Sequence, residues 1–483
     1  MKLVAQWKSA CLASRRLQVR ALPGPTLDSL ILIMNSDNEF GFSSEEWASA
    51  IKVLTELKKN PFHNPDNEKI STLISGVYKE ARKQKRKENI KQRNADDLIS
   101  IKSTNLGQET PTSLITKVEQ DQNFKRLKSP RNCYACNQSY QDLHHHYHRL
   151  CPDCAKENTF QKERSVDLTG RKVILTGGRV KVGYAAALKF LRNGADLTVT
   201  TRLPAIALSY FQQEPDYQEW KERLSIYGLD LKDLNAVESF LTDFKQKNNK
   251  LDILVNNAAQ TIHYPSSYYT PLIAQESEAL KLPDVQRLVI ENKTKLTDVP
   301  LMLKEEEEIT NFPVNRFGQP IDQRLKNSWN SSLAEIDLRE LLEVNLINHI
   351  SPFILIQQLT PLLQKSSKGF VINVTSSEGQ FSYSNKTIFH PHTNMTKASL
   401  NMLTRTSGED LAKSNIFMNA VDVGWISTGA IEPLRIKQFE EGYTPPLTPL
   451  DGAARILAPI IDELENTQGV NSKLFKNYKI VEW

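Results

Sequence analysis

The sequence predicts an α/β protein whose main domain, residues 165–483, is built on a doubly wound parallel sheet. From about Val166 onward, short apolar runs alternate with helical stretches, which is the pattern of a parallel sheet covered by helices on both faces. The first apolar run leads into glycines, and the helical residues 184–193 that follow end at Gly194. The predicted strands lie within residues 171–179, 196–202, 251–259 and 369–377.

The composition is that of a globular protein with two or three domains. The chain has 483 residues, of which 39% are hydrophobic and 24% are charged, and its net charge is +5. These values exclude collagen-like and wholly disordered classes, and the charge alone gives no support for nucleic-acid binding. No apolar run approaches the roughly 18 residues of a membrane span. Four of the five cysteines lie close together, which favours a metal site in a reducing compartment such as the cytoplasm.

Residues 1–33 are expected to be a leader without a packed structure. Residues 1–27 contain no acidic residue and several arginines. Three interpretations remain open: a mitochondrial presequence, a disordered tail, or an upstream segment that is not native protein, with Met34 as the natural start. Cys11 lies in this segment and is given no role.

Residues 34–93 are predicted to be a helical region. Apolar residues recur at helical spacing after Ser43, and a second helix is expected over residues 67–91. Its end, Lys79–Arg93, holds eight basic and two acidic residues, which indicates either a solvated helix end or a patch for an acidic partner. Residues 94–128 are polar without periodicity and are predicted to be a linker.

A metal-binding pattern lies within residues 129–160. Two Cys-x-x-Cys pairs are separated by fourteen residues, and two such pairs complete a tetrahedral zinc site. The predicted ligands are Cys133, Cys136, Cys151 and Cys154. Four protein ligands leave no position for a reacting water, so the zinc is expected to be structural and to fold this small module. The alternatives are reduced cysteines without a metal, and a spacer histidine replacing one cysteine.

Several motifs follow one another in the main domain. Residues 176–183 read Thr-Gly-Gly-Arg-Val-Lys-Val-Gly, residues 256–259 read Asn-Asn-Ala-Ala, and Asn345, Ser376 and Lys397 stand further along the chain. A glycine-containing turn between a strand and a helix lets a pyrophosphate approach backbone N–H groups. In this order, the motifs resemble those of the short-chain dehydrogenase/reductase family, over about two-thirds of the chain. The resemblance implies a Rossmann-type fold and a nicotinamide cofactor.

The resemblance also implies which residues bind the cofactor. Lys181 stands where the family has its middle glycine, so it either binds phosphate with Arg179 or closes the loop to a dinucleotide. At the end of the second strand, Thr201 occupies the place of an acidic residue and Arg202 follows, which favours NADP(H) over NAD(H). The residues implied in cofactor binding are Thr176, Gly177, Arg179, Lys181, Val182, Gly183, Thr201, Arg202, Asp230, Leu231, Asn257, Lys397, Gly424, Ile426 and Thr428. The last three belong to residues 419–428, which resemble the family segment that holds the nicotinamide amide.

The catalytic residues implied by the resemblance are incomplete. Ser376, Lys397 and Asn345 match the family, but Thr393 stands where the family tyrosine precedes the lysine by four residues. An aliphatic hydroxyl is a poor proton donor compared with a phenol that a lysine activates. The sequence offers three substitutes without choosing among them: His392, Tyr383, and His390, which has the spacing of the tyrosine in enoyl-reductase relatives.

Three functions remain open at this stage. We favour an NADP-preferring oxidoreductase for an unknown small carbonyl or alcohol, with a modified proton donor. The second is a catalytically inactive dinucleotide-binding sensor or scaffold that reaches a protein partner through its zinc module. The third, a nucleic-acid-associated factor, has the least support. The resemblance favours a homo-oligomer, unless the long insertion at about 262–335 covers the helices involved; that insertion is either a lid or an interaction surface.

Overall fold

The structure is a computed structural model that describes residues 41–61, 66–107, 125–290, 315, 319–384, 386–427, 429–466 and 469–483. The chain divides into two compact units, residues 1–90 and 91–483. The expected leader, residues 1–33, lies outside the described residues, as do Thr428 and much of the expected insertion. In the described part of the chain, no helix is both long enough and apolar enough to cross a membrane.

Two helices begin the described chain. Helix α1 spans Ser44–Lys59 and helix α2 spans Asn67–Lys102. Ser43 caps α1 in a reciprocal pair with Glu46, in which each side chain accepts a hydrogen bond from the other residue's backbone N–H.

Residues 94–102, predicted to be part of a linker, are instead the last turns of α2. They are helical because tertiary contacts hold them. Ile101 is fully buried against Leu127 and Leu143, and the Asp97 carboxylate accepts hydrogen bonds from the backbone N–H groups of Lys128 and Ser129. A sequence window without periodicity does not reveal contacts of this kind.

A small hairpin and a helix follow, which we call the thiolate module (residues 125–163). Strands β1 (Lys125–Asn132) and β2 (Ser139–Leu143) pair antiparallel. Helix α3 (Pro152–Glu163) begins at the second cysteine pair, with Cys151 as its N-cap. The module carries all four predicted zinc ligands.

Within the described residues, the main domain contains a nine-stranded sheet in the order β11-β10-β9-β8-β6-β3-β4-β5-β7. Neighbouring strands run parallel except for the edge pair β10 and β11. The strands are β3 (Lys172–Thr176), β4 (Asp196–Thr201), β5 (Leu224–Gly228), β6 (Ile253–Asn256), β7 (Val289–Ile290), β8 (Gly369–Thr375), β9 (Ile416–Asp422), β10 (Leu474–Lys476) and β11 (Lys479–Val481).

Helices cover both faces of this sheet. They are α4 (Lys181–Arg192), α5 (Pro204–Gln212), α6 (Tyr217–Trp220), α7 (Leu234–Lys247), α8 (Ser266–Ala279), α9 (Pro283–Leu288), α10 (Leu338–Asn345), α11 (Ser351–Leu363), α12 (Pro391–Ala412), α13 (Glu432–Glu440) and α14 (Pro449–Asn466). One apolar core packs α4, α5 and α14 on the sheet, and a second packs α7 and α11 on its other side. The predicted doubly wound α/β fold is therefore confirmed.

The expected insertion contributes ordered structure to this domain. Its described residues form α8, α9 and the short strand β7, which extends the sheet beside β5. Residues 327–335 follow as two 3₁₀ turns. Parallel strands bring their carboxyl ends to one edge of the sheet, so the strand–helix motifs converge there. Tyrosines of the insertion lie beside these motifs at the same edge.

Candidate functional site

The backbone of the turn after β3 leaves little room for side chains at its glycine positions. A Cβ on Gly183 would lie 1.9 Å from the Gly177 carbonyl oxygen, so this position requires glycine. Asn257 holds the turn from the neighbouring strand, because its Nδ2 donates to the carbonyls of Thr176 and Gly177. The Thr176 hydroxyl oxygen in turn accepts the backbone N–H of Asn257 at 3.0 Å. These contacts fix the turn at the start of α4.

Lys181, which replaces the family's middle glycine, retains a glycine-like backbone. Its φ is +54°, in the left-handed region that costs a non-glycine residue on the order of 1 kcal/mol or more. The lysine therefore sits in a turn that a glycine would form without strain. Lys181 is the first residue of α4, and the N-terminus of a helix favours an anion.

Replacing Lys181 by glycine separates the two expectations for this loop. If the lysine binds phosphate, Lys181→Gly should weaken NADPH binding about 10-fold, while Lys181→Arg, which keeps the cation, should stay within about threefold. Calorimetric titration of the full chain measures both. If Lys181 instead closes the loop, NADPH should bind the Gly variant better than the wild type.

A cavity of about 350 Å³ opens at this edge of the sheet. Tyr264, Tyr268 and Tyr269 of the insertion form one wall, with the first two rings stacked 3.8 Å apart. Ten of the predicted cofactor residues line the cavity: Gly177, Arg179, Lys181, Val182, Gly183, Thr201, Arg202, Asp230, Leu231 and Asn257. The fold thus brings the residues of four separate motifs to one cavity.

Two charged side chains in this cavity each have a buried atom that makes no hydrogen bond within the described residues, Arg179 Nη1 and Asp230 Oδ2. Asp230 Oδ2 lies 4.0 Å from the Lys232 ammonium in a long ion pair, whereas Arg179 makes no ion pair in the described part of the chain. Burial lowers the pKa of Arg179, so its guanidinium would gain from an anion. Buried polar groups are ordinarily paired. A phosphate for Arg179 and a donor such as the adenine amino group for Asp230 would satisfy both, so these residues fit a dinucleotide.

Arg202 is held in place by an aromatic ring. Its guanidinium lies 4.8 Å from the centre of the Tyr269 ring, and Nη2 donates to the Tyr269 hydroxyl at 3.4 Å. No carboxylate lies within ion-pair distance of Arg202 in the described part of the chain. The arginine is therefore oriented by its contact with Tyr269. The negative charges of Asp230 and Glu343 act on it from a distance, and a phosphate would be the first anion bonded directly to it.

Lys397 lies on α12 and does not line this cavity. Its side chain reaches the carboxyl end of β8. Its Nζ donates to the Val374 carbonyl at 2.8 Å. Burial lowers the pKa of Lys397 to about 8, although the charge of Asp422 acts in the opposite direction. Gly379 permits the approach of the helix that carries the lysine, since a Cβ there would lie 2.7 Å from the Lys397 backbone. Ser376 stands between Val374 and Gly379 in this strand-to-turn segment.

Asp422 joins the Ser376 turn to the segment that follows β9. Its two carboxylate oxygens accept hydrogen bonds from the Ser377 hydroxyl at 2.8 Å and the Gly424 N–H at 2.9 Å. Ile426, further along the same segment, is buried. The predicted cofactor residue Thr428 lies outside the described residues.

Asn345 ends α10, and a π-helical turn over Leu346–Ile350 follows it directly. Its Nδ2 donates to the Leu341 carbonyl at 2.6 Å. Single π-helical turns interrupt the regular backbone bonding and are frequent at functional sites. The asparagine implied in a water-mediated proton relay thus lies where its helix changes geometry.

Thr393, which replaces the family tyrosine, faces His390. The Thr393 hydroxyl donates to the His390 carbonyl at 2.9 Å, and His390 Nδ1 lies 3.1 Å from that hydroxyl. Nδ1 is also 3.0 Å from Oδ1 of Asn394, an acceptor, which favours the tautomer with hydrogen on Nδ1. Nε2 is then left as an acceptor, and it makes no hydrogen bond to any residue that the structure describes.

The surroundings of His390 include a carboxylate and an aromatic ring. Burial lowers the pKa of His390, while the charge of Glu378 on the Ser376 turn raises it. The Trp329 ring of the insertion stacks on the imidazole with the ring centres 4.5 Å apart. The insertion therefore packs directly over a candidate proton donor.

The two other candidate donors are engaged elsewhere. His392 is 1% exposed, and its Nε2 lies 2.9 Å from Oε1 of Glu340 in α10. Its Nδ1 is buried without a partner in the described chain. The ring of Tyr383 lies under the Lys476 ammonium, 5.1 Å from its centre. His392 thus has its Nε2 engaged by Glu340 and its Nδ1 buried, whereas Nε2 of His390 makes no hydrogen bond to the described residues, which favours His390 among the three candidates.

The four cysteines of the thiolate module converge. Their sulfur atoms all lie within 4.8 Å of one another, and Sγ of Cys136 is 3.7 Å from Sγ of Cys151. Zinc–sulfur bonds of about 2.3 Å place tetrahedral sulfurs about 3.8 Å apart. The donor set and its spacing fit zinc. The spacer histidines are not part of this cluster in the described structure.

Some residues that shape the site were not found from the sequence. Asn348 bonds the backbone of Gln260 through both side-chain atoms, at 2.8 and 3.0 Å, and also donates to the Thr396 hydroxyl. The signal was available, since Asn348 interrupts an apolar stretch of helix. Nothing in the local sequence marks Trp329.

Comparison with known proteins gives the family. A model described as short chain dehydrogenase matches residues 171–280, and one described as Enoyl-(Acyl carrier protein) reductase matches residues 323–446. An uncharacterized protein of Acanthamoeba polyphaga mimivirus is 33% identical over 353 residues, which are 70% of this chain and 73% of that protein. The chain belongs to the short-chain dehydrogenase/reductase family of oxidoreductases, which confirms the resemblance that its motifs carry.

Other relatives match shorter segments. The WW domain-containing oxidoreductase of Gallus gallus is 35% identical over 94 residues, 19% of this chain and 22% of that protein. A probable oxidoreductase of Streptomyces antibioticus is 38% identical over 98 residues, 19% of this chain and 30% of that protein. Among solved structures, the Pseudomonas aeruginosa RhlG/NADP active-site complex is 17% identical, with 64% of this chain and 95% of that chain covered and a TM-score of 0.42.

Proposed function

We propose that this protein is an NADP(H)-preferring oxidoreductase that interconverts a carbonyl compound and an alcohol, with His390 in the role of the family tyrosine. The observation that carries the proposal is the buried Nη1 of Arg179, which makes no hydrogen bond within the described residues and lies in a cavity that Arg202 also lines. The two arginines offer two cations to the phosphates of a dinucleotide, and Asp230 Oδ2, which makes only a long ion pair with Lys232, offers an acceptor to its adenosine.

Different residues of the chain would have different roles in this reaction. A bound nicotinamide cofactor would supply or accept the hydride. Lys397 would hold the ribose of that cofactor and provide positive charge beside Ser376, whose hydroxyl would bind the substrate oxygen. His390 Nε2 would take the proton from an alcohol, or return it to a carbonyl oxygen, while the Thr393 hydroxyl and Asn394 fix the orientation of the imidazole.

We further propose that the thiolate module holds one structural zinc ion. Four thiolates complete the coordination of zinc, so the metal would take no part in the proton chemistry. Its contribution would be to the folded state of the module. Cytoplasmic localisation is proposed on the same basis, because free thiols and thiolate–zinc sites persist in reducing compartments.

Removal of the Arg202 charge tests the cofactor preference. Arg202→Ala should weaken NADPH binding about 10- to 100-fold through loss of the charge-assisted bonds to the 2′-phosphate, and should leave NADH binding nearly unchanged. Arg202→Lys is the matched control and should show an intermediate loss. Calorimetric titration of NADPH and NADH against the full chain of each variant measures this preference. An equal loss for NADH and NADPH, or wild-type preference for NADH, would contradict the proposal.

One observation favours a second function, that of a dinucleotide-binding sensor without turnover. Trp329 lies against the His390 ring, and Asn327 in the same turn donates to the Gly429 carbonyl at 3.0 Å. The insertion thus spans the site from α12 to the segment after β9. In a sensor, this cover would remain in place with cofactor bound, and NADPH would bind without oxidation by any carbonyl compound.

A further inference from the structure

The thiolate module shares an apolar core with the segment that follows β9. Cys133, Tyr140 and Cys151 pack in one buried cluster with Ile426 and Leu447 of the main domain. Two of these side chains are predicted zinc ligands, and Ile426 is a predicted cofactor residue. The metal site and the cofactor segment are therefore in contact through a common core.

A hydrogen bond fixes the same segment from the module side. The Trp425 backbone N–H donates to the Tyr134 hydroxyl oxygen at 2.8 Å. Tyr134 lies between the first two predicted ligands, Cys133 and Cys136, so its position depends on how that turn is held. The Arg149 guanidinium, also of the module, lies 5.2 Å from the centre of the Trp425 ring.

The adenosine end of the cofactor site has less contact with the module. No residue of the thiolate module lines the cavity that contains Arg202 and Asp230, although Val182 of the glycine turn, which does line it, packs against the module's core. A change in the module should therefore act mainly on residues 423–427 and have a much smaller effect at the adenosine end.

We propose that Tyr134 is a positioning residue for the nicotinamide end of the cofactor site, and that the metal in the thiolate module sets the cofactor affinity by holding Tyr134 in place. The inference rests on the proposed zinc site and the proposed NADP(H) binding, and it adds a regulatory role for the module. Loss of zinc frees the Cys133–Cys136 turn, withdraws the acceptor from the Trp425 N–H, and releases residues 423–427.

The test compares two ligands on the full chain, with and without zinc. NADPH reaches both ends of the site, whereas adenosine 2′-monophosphate carries only the adenine and the 2′-phosphate. Zinc-loaded protein, with about one zinc per chain by elemental analysis, is compared with protein depleted by a chelator under reducing conditions. Depletion should weaken NADPH binding at least about 10-fold and leave adenosine 2′-monophosphate binding within about threefold.

A pair of tyrosine variants removes the dependence on chelation. Tyr134→Phe deletes only the acceptor of the Trp425 N–H and should weaken NADPH binding about 3- to 10-fold. Tyr140→Phe is the matched control, because the Tyr140 hydroxyl donates to the His148 carbonyl inside the module at 2.8 Å. It should leave both affinities unchanged, and both variants should retain their zinc.

The outcomes distinguish this inference from the proposed function. Equal NADPH affinity with and without zinc, or an unchanged affinity in Tyr134→Phe, would overturn the inference alone. Parallel loss of both ligands on zinc removal would also overturn it, because the metal would then support the whole domain. If the zinc-loaded wild type binds neither ligand, the proposed function fails and this inference fails with it.

Discussion

Substitution of Lys397 by alanine is expected to reduce turnover at least about 10³-fold. In the proposed function, the Lys397 ammonium would supply positive charge near Ser376 for the proton transfer, and positioned acid–base groups contribute about 10²- to 10⁴-fold. NADPH oxidation with the best substrate from a panel of aldehydes, ketones and 2-enoyl thioesters measures the effect. Unchanged turnover would sink the assignment.

The stability of the variant separates a catalytic loss from an unfolded protein. The pKa of Lys397 is lowered to about 8 by burial, which means that the fold disfavours its charged form at neutral pH. Lys397→Met, which preserves length without charge, should therefore be at least as stable as the wild type in thermal unfolding. A variant that is equally folded and inactive would show that the lysine is kept for function at a cost in stability.

The same pKa gives the direction of a pH effect. Lys397 is charged below about pH 8 and neutral above it, so binding that uses the ammonium is fully present on the acid side and is lost as the pH rises through 8. NADPH affinity of the wild type should fall there, and that of Lys397→Met should not change over the same range. A flat wild-type profile up to pH 9.5 or so would count against the role of this residue.

The sequence predicted those parts of the site that are encoded locally. The strands β3, β4, β6 and β8 follow from apolar runs, and the turn at 176–183 follows from its glycines. The short strands β7, β10 and β11 were not predicted, because segments of two or three residues carry no periodicity. The convergence of the four cysteines was predicted because two paired turns already fix the ligand geometry.

The contacts of the candidate site that the sequence did not predict join segments that are distant in the chain. Trp329 meets His390, and Tyr134 meets Trp425, across separations of 61 and 291 residues. Motif reasoning places residues on elements and at sheet edges, but the choice between His390 and His392 depended on where each ring nitrogen points. Helix α2 extends past its expected end for the same reason, since Ile101 is stabilised by packing rather than by its neighbours in the chain.

Replacement of His390 by glutamine is expected to lower kcat about 100-fold or more, with a small change in KM. The side chain of glutamine is polar and of similar length, but it cannot exchange a proton near neutral pH. Thr393→Val, which removes the hydroxyl that orients the imidazole, should cost about 10-fold, because the base remains present. Steady-state kinetics with NADPH and the best panel substrate give both values.

The pH profile and a neighbouring histidine make this prediction specific. Burial lowers the pKa of His390. The wild type should therefore lose alcohol oxidation, as Nε2 becomes protonated, only below the usual titration range of histidine. His390→Gln should lack this acid limb of the pH profile.

His392→Gln is the matched control: it breaks the contact with Glu340 and should lower the thermal stability more than kcat. Equal kcat for His390→Gln and the wild type would refute the role of His390. An acid limb that disappears only in His392→Gln would assign the proton transfer to that residue instead.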